Sequence, residues 1–145
     1  MNAHIRWVRP GDLARSPRPG YAPGWEHAVE RQAVDRWIGQ ARDLGIRSII
    51  VLLDRDQLPL YEASLPDGLI AHYKQAGLVV AHVPTPDGKL HPFTSEQLDA
   101  AWRAYLDLPK PVLVHCSAGY DRTGRVVNYI LDRLADRSNG SLAAE

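Results

Sequence analysis

One cysteine occurs in the chain, Cys116, in the stretch VLVHCSAGYDRTGR (112–125). It ends an apolar run, follows His115 and precedes Arg122 by six residues. The run reads as a buried strand and the residues after the loop as a helix. A loop between a strand and a helix N-terminus points several backbone N–H groups inward, and the helix dipole adds positive potential. That arrangement binds anions. Arg122 at the same mouth offers a planar fork of donors for two oxygens of a tetrahedral oxyanion. The same positive field favours the thiolate of a cysteine at the rim. A thiolate at the floor of an anion cradle suits attack of sulfur on a bound phosphoryl group.

The elements that must position this loop follow from the hydrophobic pattern. HIRWV (4–8) alternates as a short strand, and the Pro- and Gly-punctuated 9–24 reads as loop. Trp25, Val29, Ala33, Trp37, Ile38, Ala41 and Leu44 recur at helical spacing, with Gly45 as the stop. Buried strands are predicted at 46–54, 78–83 and 110–116, and a helix at 66–77. Thr94 and Gln97 form a capping box ahead of a helix to about Leu108. A last helix spans 122–137, and 138–145 reads as a frayed tail. Alternating strands and helices predict one α/β domain over 1–145, with a largely parallel central sheet flanked by helices. Ligands of such sheets bind beyond the carboxyl ends of the strands, where Cys116 falls.

Composition excludes several classes. The chain is 45% apolar and 23% charged, the profile of a soluble globular domain. Its formal net charge of zero gives no electrostatic footprint for nucleic acid or membrane surfaces. No apolar stretch is long enough for a membrane span, and the N-terminus lacks a signal-peptide core. A lone cysteine forms no internal disulfide and no cysteine-built zinc site, so neither metal nor cofactor is expected, and a reducing cytoplasm is the expected compartment. Arginine outnumbers lysine and alanine is abundant, as in proteins of GC-rich bacterial genomes.

HCSAGYDRTG (115–124) resembles the His-Cys-x5-Arg-Ser/Thr signature of the protein-tyrosine phosphatase superfamily. RWVRPGDLARSPRPGY, LGIRSIIVLLD and HVPTPDGKLHPFTSEQLDAAW look like the corresponding flanks of the small atypical dual-specificity phosphatases. The resemblance runs from about Ile5 to about Leu134. It implies a dual-specificity phosphatase-like fold and hydrolysis of phosphomonoesters through a phosphocysteine intermediate, with phosphotyrosine and phosphoserine or phosphothreonine in proteins as substrates. It implies Cys116 as nucleophile, and Arg122 as the residue that binds phosphate and stabilises the transition state. The loop Ser117, Ala118, Gly119, Tyr120, Asp121 and Arg122 would form the phosphate cradle. His115 would order the loop. The Thr123 hydroxyl would assist departure of sulfur, and Thr123 also suits a helix N-cap. Gly119 would adopt a backbone angle closed to other residues, and Gly124 would pack closely against the loop.

The resemblance also implies a general acid on a separate loop. Asp87, in VPTPDGKLHP, occupies the matching place, although Asp-Gly is also a common turn pair. Asp121 departs from the usual small or basic residue of this loop. It reads either as a buttress of Arg122, the favoured expectation, or as a second acid of the kind found in myotubularin-like lipid phosphatases. That Asp keeps a phosphoinositide or inositol phosphatase open as an alternative, while the absence of lysine from SAGYD disfavours it. A non-catalytic phosphate-binding module, a sulfurtransferase and an RNA 5′-triphosphatase are weaker rivals. Partners are thus a phosphoprotein or a phosphorylated small molecule, with no nucleic acid. The apolar face of the last helix, Val126, Tyr129, Ile130 and Leu134, requires cover, from the domain itself or from a second copy.

Overall fold

The computed structural model describes residues 4–23, 27–54, 56–85 and 93–144. Five strands, β1 (Arg6–Arg9), β2 (Leu13–Ser16), β3 (Ser48–Val51), β4 (Val79–His82) and β5 (Val112–His115), form one sheet in the order β1-β2-β5-β3-β4. Only β1 runs antiparallel to its neighbour; β2, β5, β3 and β4 are mutually parallel. Among the described residues the helices are α1 (Arg31–Asp43), α2 (Leu69–Gln75), α3 (Ser95–Asp107) and α4 (Asp121–Ala144), with a short 3-10 turn at Leu58–Tyr61.

The expected α/β class and mostly parallel sheet are thus observed. β3 and β5 are buried along their whole length, which explains their unbroken apolar runs. Alternate residues feed two cores. Ile49, Val51 and Leu113 face the layer made by α1 and α2, with Val34, Trp37, Ile38, Ala41, Leu69 and Tyr73. Ile50, Val112 and Val114 face α3 and α4, with Ala101, Trp102, Tyr105, Val126, Val127 and Ile130. The capping box forms in full: the Gln97 amide donates to Thr94 Oγ1, and the Thr94 amide to Gln97 Oε1. Gly45, with φ of +83°, closes α1 as expected.

Three elements differ from the sequence expectation. Leu13–Ser16, inside the predicted loop, is a strand, because the turn closed by the Asp12 amide on the Arg9 carbonyl folds it back onto β1. α1 begins at Arg31, later than expected from Trp25. α4 continues to Ala144, through the tail expected to fray; no proline interrupts it, and one interior glycine costs a helix only about 1 kcal/mol. The face of α4 is covered within the chain. Val126 and Ile130 are buried, Tyr129 and Leu134 are half-buried against the same core, and the Tyr129 hydroxyl donates to Asp99 of α3. Among the described residues no helix is long and apolar enough to cross a membrane.

Candidate active site

Register brings Ser16, His115, Val51 and His82 into one row at the carboxyl edge of the parallel strands. The cysteine loop leaves from the centre of that row, and each flanking strand leads into a segment that supports it. Cys116 is buried, and its Sγ accepts the Gly119 amide at 3.3 Å. Among the described residues, the amides of Ser117, Ala118, Tyr120, Asp121 and Arg122 donate to no backbone carbonyl. The loop thus holds a set of uncommitted N–H donors at the N-terminus of α4, an anion-binding arrangement. Gly119 has φ of +82°, and a Cβ there would come within 2.7 Å of the Ser16 and Pro17 backbone. Both conformation and space therefore require glycine. Gly124, expected to pack closely, has room: a Cβ would meet Arg15 Nη2 at 3.5 Å, an ordinary contact.

Arg122 is buried, and two of its five N–H donors are spent on the protein. Nη1 donates to the Thr85 carbonyl after β4 and Nη2 to Gln57 Oε1 after β3, each at 2.9 Å. The buttress expected of Asp121 is supplied by these two residues instead; Asp121 is exposed in the first turn of α4. Thr123 also departs from one expectation. It lies inside the first turn, not at an N-cap, and its Oγ1 is buried with no hydrogen-bond partner.

His115 is fully buried, and burial lowers its pKa from 6.5 to about 4, so its ring is neutral. Burial also holds the Tyr73 hydroxyl well above its usual value, leaving it a donor. Tyr73 donates to His115 Nε2 at 2.9 Å, which makes Nδ1 the N–H that reaches the Cys116 carbonyl at 3.0 Å. The ring thus forms a neutral relay from Tyr73 to the loop backbone. Trp37 packs edge-on to the same ring at 5.6 Å between centroids. A pH dependence follows. The depressed folded value means that charging the ring opposes the fold. Its contribution is intact above pH 6.5 and is lost as pH falls from 6.5 towards 4, by up to about 3 kcal/mol. Denaturant unfolding between pH 4 and 7 is expected to show this slope, and His115→Asn to reduce it; equal slopes in both proteins would refute the assignment.

The segment after β2 carries residues that sequence reasoning misses. Arg18, 2% exposed, donates from Nε to Ser117 Oγ at 3.1 Å and from Nη1 to the Tyr61 hydroxyl at 3.1 Å, and its amide donates to the Ser117 carbonyl. Tyr61, pushed up to about 12 by burial, donates in turn to the Pro19 carbonyl. Arg15 Nη2 donates to the Gly119 carbonyl at 2.7 Å. Burial and then the charge of Arg6 lower the Arg15 guanidinium below its usual value. The one local signal is the arginine pair in LARSPRPG, masked by the prolines; Gln57 and Thr85 carry none. Tyr120 is exposed on the rim. Asp87 lies outside the described residues. Among the described residues, no three His, Cys, Asp or Glu side chains gather as metal ligands.

A parallel sheet presenting a buried cysteine in an arginine-clamped loop of free amides defines the class of cysteine-loop phosphatase folds. Residues 24–135 match the Tc-R-P family model, described as a polymorphic toxin system DSP-PTPase phosphatase, and the chain belongs to that family. Kinase associated phosphatase, solved with its catalytic cysteine replaced by serine, is 23% identical, with a TM-score of 0.72 over 94% of this chain and 76% of that one. Tk-PTP in its active form is 25% identical, with a TM-score of 0.57 over 87% and 70%. The catalytic core of the PP-IP phosphatase SIW14 from S. cerevisiae, in complex with citrate, is 22% identical, with a TM-score of 0.54 over 85% of this chain. The chain spans 62% of that core. No curated protein matches the sequence. These likenesses agree with the small atypical dual-specificity phosphatase resemblance read from the motifs.

Proposed function

We propose that the chain hydrolyses phosphomonoesters through a phosphocysteine intermediate, with phosphotyrosine and, in second place, phosphoserine or phosphothreonine of proteins as substrates. The observation that supports this reading is one short loop that carries Cys116 Sγ, a set of uncommitted amides and the buried, clamped Arg122. The phosphoryl oxygens take the uncommitted loop amides of 117, 118 and 120–122 and the three remaining Arg122 N–H donors. The sulfur attacks phosphorus, the S–P bond forms as the ester P–O bond breaks, and the leaving oxygen takes a proton from Asp87. Asp87 is proposed as the acid from its place in the VPTPDGKLHP stretch, two residues along the chain from Thr85, whose carbonyl holds Arg122. In the second step a water attacks phosphorus, Asp87 takes its proton, and the sulfur leaves.

Thr123 belongs to that second step. A buried hydroxyl without a partner costs a fold about 1–3 kcal/mol, so its retention supports a use for it outside the resting state. It would donate to the sulfur as the S–P bond breaks. The test is a rapid acid quench during turnover of an aryl phosphate, with phosphate counted on Cys116 by mass spectrometry. Phosphocysteine is expected in the native protein and in larger amount in Thr123→Val, which would also be as stable as the native protein or more so. Turnover with no trapped phosphocysteine in either protein would overturn the mechanism; thiocyanate formation from thiosulfate in place of phosphate release would make the chain a sulfurtransferase.

A further inference from the structure

Beside the cysteine loop, towards β1 and α1, lies a pocket of about 600 Å³. The loop gives it only Ala118, Gly119 and Tyr120; neither Cys116 nor Arg122 lines it. Four arginines do: Arg6 of β1, Arg15 of β2, Arg18 just beyond, and Arg36 of α1. Among the described residues no Asp or Glu is in the lining, and none of the four forms an ion pair. In a chain of zero net charge this is segregation of charge. A second observation points to a ligand. Arg18 is 2% exposed, yet its Nη2 has no hydrogen-bond partner, and Arg15 Nε is buried and unpartnered as well. Unmet donors on buried cations are unfavourable unless an acceptor arrives.

We propose that this pocket is a second anion subsite, which takes a second phosphoryl group of the substrate while the first lies over Cys116. The proposal rests on the phosphatase reading of the cysteine loop. The two positions share one wall. Arg18 Nε holds Ser117 Oγ and Arg15 Nη2 holds the Gly119 carbonyl, so the arginines of the pocket support the back of the loop whose amides form the first cradle. Arg6 and Arg36, both exposed, reach the mouth and are free to fold their planar forks around phosphate oxygens. The lack of lysine in SAGYD therefore does not argue against a polyanionic substrate, because the cationic groups stand outside the loop. A small molecule with several phosphoryl groups and a doubly phosphorylated peptide present the same chemistry to this pair of sites.

The test compares Arg6→Gln/Arg36→Gln with the native protein on two matched pairs of substrates. One pair is inositol hexakisphosphate and an inositol monophosphate. The other is a peptide phosphorylated on two neighbouring residues and its singly phosphorylated form. In at least one pair the ratio of kcat/KM, multiply over singly phosphorylated, is expected to exceed about ten and to fall about tenfold in the double variant. Arg36→Lys should recover part of the ratio, and Arg133→Gln, on the α3–α4 side, should leave it unchanged. The pair that shows the effect identifies the carrier. Ratios near one in both pairs, or equal losses in Arg133→Gln, would overturn the subsite. Calorimetric titration with inositol hexakisphosphate and inorganic phosphate separates this from failure of the phosphatase reading. Without turnover, tighter hexakisphosphate binding that weakens in the double variant still supports the subsite; equal binding by both proteins overturns it.

Discussion

Cys116→Ser is expected to abolish turnover of an aryl phosphate, by at least roughly 10⁴-fold, the scale on which loss of a covalent nucleophile is felt. Orthovanadate binding should survive. Serine keeps the shape of the side chain, and the groups proposed to hold the oxyanion are elsewhere: the loop amides and an Arg122 held by Gln57 and Thr85. The Gly119 amide, which donates to Sγ in the native protein, can donate to a serine hydroxyl as well. Inhibition constants are not readable from a dead variant, so calorimetric titration with vanadate is the check. Residual turnover within tenfold of the native rate would remove Cys116 from the nucleophile's place. Loss of binding together with turnover would mean that the sulfur itself holds the loop in shape.

The resilience of the cradle comes from residues that no local pattern announces. Strand, loop and helix around Cys116 are legible because period, punctuation and residue type agree within twenty residues of chain. So is the capping box of α3, a four-residue signal. What the sequence does not display is the convergence of four strand ends. Arg18, Gln57 and Thr85 are each isolated polar residues in loops, and only the parallel order β2-β5-β3-β4 brings them against one loop. β2 escapes for a related reason: its four residues, LARS, are too short and too polar to read as a strand, and their burial comes from the neighbours β1 and β5. Asp121 reads as a buttress only because chain proximity to Arg122 suggests contact. The first turn of α4 turns the adjacent side chains apart, one exposed and one buried.

That separation bears on the acid. Asp87→Asn is expected to lose about 10² to 10⁴ in kcat on phosphotyrosine or phenyl phosphate, whose leaving oxygens need a proton, and little on an activated fluorinated aryl phosphate, whose anion departs unaided. The leaving oxygen lies opposite the attacking sulfur, on the outer side of the phosphoryl group. A residue on a separate loop can cover that side. Asp121, one residue from Arg122 and exposed at the start of α4, belongs to the loop proposed to hold the equatorial oxygens. Since Arg122 is clamped by Gln57 and Thr85, Asp121→Asn should not displace it, and its effect should be small and similar for both leaving groups. Removal of a carboxylate beside a dianion site should lower KM if anything. Brønsted plots over a series of phenols check this directly: a steep dependence on leaving-group pKa is expected for Asp87→Asn and a native slope for Asp121→Asn. The reverse pattern would make Asp121 the proton donor, and a myotubularin-like lipid or inositol phosphatase would then replace the protein phosphatase reading.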